Sequence, residues 1–79
     1  MARVLLFGPL RDLAGWRERQ IEADSLSALR IVLATEDADL GEAIGGPGVQ
    51  VAIDQAVVRG DVALTAGSEV AFLPPMSGG

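Results

Sequence analysis

The chain contains no cysteine, no histidine and no lysine. Without cysteine there is no disulfide, no thiolate metal site and no thiol nucleophile. Without histidine the commonest general base and the commonest metal ligand are both missing. Autonomous catalysis would have to run on carboxylates and hydroxyls alone, so the composition argues against an enzyme that works by itself. Without lysine, the only amine is at the N-terminus. Positive charge is also scarce: six arginines face eleven acids, for a net charge of −5. Nucleic-acid binding needs clustered positive charge and is not expected. An acidic domain suits a partner with a basic surface. Long apolar runs are missing too. Val4-Leu5-Leu6-Phe7 falls short of a signal-peptide core of about 7–15 residues, and nothing reads as a membrane span. The expected location is the cytoplasm.

What is present is a hydrophobic fraction of 49 % in 79 residues, enough for one small folded domain. Its core is marginal in size.

The most informative stretch is the C-terminus, Glu69-Val70-Ala71-Phe72-Leu73-Pro74-Pro75-Met76-Ser77-Gly78-Gly79. It begins as a strand. Pro74 and Pro75 have no N–H to donate, so ladder pairing stops there, and both favour extended backbone. Met76, Ser77, Gly78 and Gly79 follow. A carboxylate on Gly-Gly can enter a slot too narrow for any Cβ. Residues 74–79, fully extended, reach roughly 20 Å at about 3.3–3.6 Å each. That span carries a tip from a globular body into a partner's buried site.

Val70-Ala71-Phe72-Leu73-Pro74-Pro75-Met76-Ser77-Gly78-Gly79 resembles the C-terminal signature of the molybdopterin synthase small-subunit family, which are ubiquitin-like sulfur carriers. Phe7-Gly8-Pro9-Leu10-Arg11-Asp12-Leu13 resembles that family's Phe-Ala-x-x-Arg-Glu-Leu segment. Leu64-Thr65-Ala66-Gly67-Ser68-Glu69-Val70 resembles its Leu-x-x-Gly-Asp-Glu-Val turn. One departure is Asp54, where the family usually has Asn; an aspartate can still cap a turn.

The resemblance implies a cycle. An activating enzyme uses ATP to adenylate the Gly79 carboxylate, sulfur displaces AMP, and a thiocarboxylate results. The large subunit of molybdopterin synthase receives the tail and directs it at a pyranopterin precursor. Two sulfurs make the dithiolene, so the carrier must be discharged, released and recharged. Gly79 carries the sulfur; Gly78, Ser77, Met76, Pro75 and Pro74 give the tail its access. Phe7, Arg11, Phe72 and Leu73 are the expected partner-binding residues. No cofactor is expected on the chain itself; ATP belongs to the activating enzyme. A related carrier for thiamine or tRNA thiolation would end the same way, and a non-covalent β-grasp binding module is the reading from another class.

In chain order, residues 3–7 read as a first strand and 11–15 as a short helical turn. Trp16 to Glu22 reads as a polar edge strand pairing with the first. Ser25 is the expected N-cap of a helix whose buried stripe is Leu26, Leu29, Val32 and Leu33, ending near Ala34-Thr35. Glu36, Asp37, Asp39 and Glu42 do not match the spacing of a calcium loop and read as a solvated face. Leu40 and Ile44 are placed to pin a short helical turn. Gly45-Gly46-Pro47-Gly48 reads as a plain loop, with no helix start or lysine following it to hold phosphate. Residues 49–53 and 56–58 read as strands around an Asp54-Gln55 turn. Arg59-Gly60-Asp61 reads as a turn rather than a recognition motif, and 69–73 as the last strand.

Strand, strand, helix, strand, short strand, strand implies an α+β fold. The resemblance supplies the topology: a β-grasp, a mixed sheet with one main helix across one face, spanning 1–73, with 74–79 as its tail. In that fold the first and last strands run side by side and parallel. The far face of the sheet is then bare, and apolar residues there form a docking patch.

Overall fold

A computed structural model describes residues 1–75. The elements are β1 (Ala2–Leu6), α1 (Pro9–Ala14), β2 (Glu18–Ile21), α2 (Leu26–Glu36), α3 (Ala38–Ile44), β3 (Gln50–Ile53), β4 (Ala56–Val58) and β5 (Glu69–Leu73). One five-stranded sheet has the order β2-β1-β5-β3-β4. β1 and β5 are parallel; β1–β2, β3–β4 and β3–β5 are antiparallel. This is the mixed-sheet β-grasp arrangement, with the C-terminal strand at the centre of the sheet.

Alternation sorts the side chains onto two faces. Leu6, Phe72, Val51 and Val58 are cross-strand partners in one row, and Val4, Val70 and Ile53 in the next. These residues pack with Leu26, Leu29 and Leu33 of α2 and with Leu40 and Ile44 of α3. Phe72 and Leu29 are fully buried at 0 % exposure. Burying each such side chain contributes about 1.5–3 kcal/mol.

The α2 helix begins as expected: the Ser25 side chain accepts the Ala28 N–H at 3.1 Å. Leu26, Leu29 and Leu33 form the buried stripe, while Val32 is only half-buried at its margin. The helix runs to Glu36, past the expected end, because Asp37 closes it. The Asp37 N–H donates to the Leu33 carbonyl while its side chain accepts from Leu40 N–H. One residue therefore stops α2 and starts α3. Leu40 and Ile44 anchor a full seven-residue helix rather than a single turn. A Cβ at Gly41 would lie 2.5 Å from the Ala34 Cβ, so glycine permits the close approach of α3 to α2. Its roughly 1 kcal/mol helix-propensity penalty is offset by that contact.

Other boundaries also shift. β1 ends at Leu6, leaving Phe7 in the connection, and α1 starts two residues earlier than expected because Pro9 sits comfortably in its first turn. Trp16 lies outside β2, which spans only Glu18–Ile21. Trp16 packs half-buried against the core, with the Arg19 guanidinium 5.1 Å from its ring. Arg19 also bonds Glu36 at 2.7 Å, tying the β2 edge to the end of α2. That contact raises the arginine pKa and lowers the glutamate's. Asp54 and Gln55 take positive φ values of 50° and 73°, the geometry of a tight two-residue hairpin. Asp61 of the Arg-Gly-Asp triplet accepts the Ser27 N–H and hydroxyl, each at 2.8 Å, so it serves the first turn of α2.

Candidate functional site

The tail starts from the middle of the sheet. β5 lies between β1 and β3, so the loops after β1 and before β3 stand on either side of Pro74 and Pro75. Gly8 follows β1 with φ +56°, and a Cβ there would come 3.2 Å from the Pro74 Cγ. Gly48 precedes β3 with φ +82°, and a Cβ there would come 2.7 Å from the Pro75 Cβ. Pro74 is half-buried and Pro75 exposed. The expected tail residues Met76, Ser77 and Gly78, and Gly79, expected to carry the sulfur, lie outside the described residues.

Beside this exit is the face of the sheet away from the helices. Glu18, Leu5, Ala71, Ala52 and Val57 are successive cross-strand partners, one row across all five strands. They carry the parity opposite to the core row. Ala71 and Ala52 are largely buried yet belong outside the core cluster. They form a low floor between Leu5 and Val57, the latter 57 % exposed. Leu73 and Gln50 pair one row nearer the tail. Phe7, 44 % exposed, follows β1 at this same end.

Arg11 is exposed on α1 and shares a shallow cavity of about 230 Å³ with Leu5, Leu6, Phe7, Arg17 and Glu18. Among the described residues neither Arg11 nor Arg17 forms an ion pair, whereas Arg3 is held by Glu18 and Glu69. Two arginines thus rim an apolar surface on an otherwise acidic domain. No cluster of potential metal ligands occurs among the described residues. The acidic segment is structural in part: Glu36 pairs with Arg19 and Asp37 caps α3.

Of the expected docking residues, the structure brings Phe7, Arg11 and Leu73 to this end of the sheet. Phe72 is a correction. It faces the helices at 0 % exposure, with the Arg30 guanidinium 5.6 Å from its ring. Adjacent strand residues point to opposite faces, so Phe72 and Leu73 cannot both meet a partner. Sequence reasoning missed Leu5, Ala52, Ala71 and Val57. Strand parity gave a signal for the first three, but only the register aligns them into one row. Gly8 and Gly48 were also missed, since their importance lies in a contact far along the chain.

A family model described as the ThiS family matches residues 4–79. The chain is 36 % identical to the molybdopterin synthase sulfur carrier subunit of Escherichia coli K12, with both chains covered in full. It is similar to a chain in the protein–protein complex of subunits 1 and 2 of molybdopterin-converting factor from Helicobacter pylori, at 28 % identity and a TM-score of 0.76, covering 99 % of this chain and 97 % of that one. The small archaeal modifier protein 1 of Methanosarcina acetivorans shares the fold, at a TM-score of 0.87 and 23 % identity, covering 99 % of this chain and 95 % of that one. With the C-terminal strand at the centre of a β-grasp sheet and sequence similarity running the length of the chain, this protein belongs to the ThiS family.

Proposed function

We propose that this chain is the sulfur carrier subunit of a molybdopterin synthase: residues 1–73 form the carrier body and 74–79 the tail that bears the sulfur. The observation that carries the reading is the placement of Leu73-Pro74-Pro75, leaving the sheet centre beside a bare apolar face. The family match through residue 79 and the full-length relatives support it.

The chemistry follows from the weakness of a carboxylate as an electrophile. In the proposed cycle the Gly79 carboxylate oxygen attacks the α-phosphorus of ATP on an activating enzyme, and pyrophosphate leaves. A hydrosulfide-level nucleophile then adds to the acyl carbon and AMP leaves, producing a thiocarboxylate. The sulfur is now a nucleophile. Attack on an electrophilic carbon of the pyranopterin precursor breaks the C–O bond at that carbon, with the oxygen leaving, and forms a thioester. Water then cleaves it at the acyl carbon, leaving the thiol on the precursor and returning the Gly79 carboxylate. The chain contributes no acid or base to these steps. It contributes a body for the enzymes to hold and a tail for them to reach.

The large subunit docks on the outer face, with Phe7, Leu73, Leu5 and Val57 as its apolar contacts and Arg11 at the rim. This places the tail entrance beside the docking surface, so binding and delivery are coupled. No described helix is long and apolar enough to cross a membrane, and the proposed partners place the carrier in the cytoplasm.

The test is intact mass spectrometry after incubation with a matching activating enzyme, ATP and a sulfide source. One sulfur-for-oxygen exchange, mapped to Gly79, is expected. Unmodified mass of this chain under conditions in which the same activating enzyme loads its own carrier would refute the proposal.

A further inference from the structure

Two glycines distant in sequence meet the two prolines of the tail. Gly8 and Gly48 stand on opposite flanks of β5, in the loops next to its sheet neighbours β1 and β3. Both hold positive φ, where a side chain is strained whatever the space. Both are also close to the tail. A Cβ at Gly48 would lie 2.7 Å from the Pro75 Cβ and 3.6 Å from both its Cα and Cγ; one at Gly8 would lie 3.2 Å from the Pro74 Cγ. At 2.7 Å the neighbour must move, and proline can do so only by moving its backbone, because its ring locks φ. The other positive-φ glycines differ: at Gly15, Gly60 and Gly67 an added Cβ meets nothing within 4 Å. Turn geometry alone therefore accounts for those three. It leaves unexplained why the remaining two both lie against the tail.

We propose that Gly8 and Gly48 form a clamp that sets the direction in which the tail leaves the body, and that they are positioning residues for loading and delivery of sulfur. The inference rests on the sulfur-carrier reading for its consequence, but not for its geometry. The proposed docking face and the tail base belong to one sheet. A partner seated on that face receives the tail at an angle fixed at Pro74 and Pro75. Residues 74–79 span at most roughly 20 Å, so a change of direction at the base shifts the region that the tip can reach. Misplacement of about 1 Å can cost on the order of a hundredfold in rate. Gly48 is the stronger half of the clamp, since its approach to Pro75 leaves no room for a methyl group.

The test separates strain from collision. Gly48→Ala and Gly60→Ala both place alanine at similar positive φ, +82° and +75°, but only the first meets the tail. Because the chain has no cysteine, Ser77→Cys offers a single site for a nitroxide label. Its relaxation of backbone amides in the body reports the tail's direction. Gly48→Ala is expected to change that relaxation pattern, and Gly60→Ala to leave it as in the parent. In unlabelled protein, Gly48→Ala is expected to lower the turnover of thiocarboxylate formation at saturating carrier on the order of tenfold to a hundredfold. Its ability to compete with wild type for the large subunit should be unchanged. A loss confined to KM, or an equal loss in Gly60→Ala, would show that only body strain is involved and would overturn the proposal. So would an unchanged relaxation pattern in Gly48→Ala. Should Gly48→Ala fail to fold, Gly8→Ala applies the same measurements through Pro74. If the wild-type chain takes no sulfur at all, the functional reading fails, and the relaxation measurement still decides the clamp.

Discussion

Asp54 and Glu69 bond each other through two hydrogen bonds. The Asp54 N–H donates to the Glu69 carbonyl at 2.8 Å, and the Glu69 N–H donates to the Asp54 Oδ1 at 2.9 Å. The turn between β3 and β4 is thereby locked to the first residue of β5. An asparagine at this position would present the same kind of acceptor oxygen.

Asp54→Ala removes that acceptor and leaves alanine at a φ of 50°. Stability should fall by about 1.5–3 kcal/mol, the range for a hydrogen bond to a charged group. Asp54→Asn should recover most of the loss. Urea unfolding of both variants checks this, and an Asp54→Ala midpoint equal to wild type would contradict it.

Leu29→Ala empties a site with 0 % exposure beneath α2. The expected cost is about 2–5 kcal/mol, a large share of the stability of so small a domain. A chemical denaturation midpoint indistinguishable from wild type would show that the surrounding core collapses to fill the site.

Phe7 and Phe72 should behave oppositely. Phe7→Asp places a charge on the exposed docking edge; it should leave stability within about 0.5 kcal/mol and weaken binding to the large subunit. Phe72→Ala should cost about 3–5 kcal/mol in folding. Calorimetric binding of each variant, with thermal unfolding in parallel, separates the two roles. Tight binding by a folded Phe7→Asp variant would remove Phe7 from the interface.

The two hydrogen bonds from Ser27 hold the Asp61 pKa below its ordinary value. A carboxyl with a depressed folded-state pKa stabilises the fold above its unfolded pKa and loses that contribution as pH falls through the folded value. Acidification below about pH 4 should therefore erode stability more in wild type than in Asp61→Asn. Glu36 is lowered by Arg19 and titrates in the same direction, so the comparison must be between the two proteins rather than against a flat line. Parallel midpoint-versus-pH curves would mean that the Asp61 contact adds nothing.

Gly78→Val should leave the unfolding midpoint in place and block sulfur delivery. On the proposed reading a branched Cβ would collide with a slot that admits bare backbone, and it disfavours positive φ. Dithiolene formation from pre-thiocarboxylated carrier is the readout, with large-subunit binding followed alongside. Full product yield would mean that the tip enters no confined site.

Local chemistry is what the sequence by itself determined. Ser25 before an apolar stripe at helical spacing specifies a helix start wherever the chain folds, because the cap and the stripe depend on neighbours within a few residues. Alternation in β3 and β5, the Asp54-Gln55 turn and the two prolines after Leu73 are equally local. The absences of cysteine, histidine and lysine excluded whole classes of chemistry with no structure at all. The tertiary structure decided everything that depends on residues far apart in the chain. Phe72 and Leu73 look alike as neighbours in an apolar strand; only helices packed on one face assign the first to the core and the second to the surface. Leu5, Ala71, Ala52 and Val57 become one surface through pairing between strands separated by most of the chain. Asp61 serves a helix that begins 35 residues earlier, and Gly8 and Gly48 meet prolines that follow them by 66 and 27 residues. These relationships come from strand order and register, set by the burial of the whole core, so no window of the sequence short of the complete fold contains them.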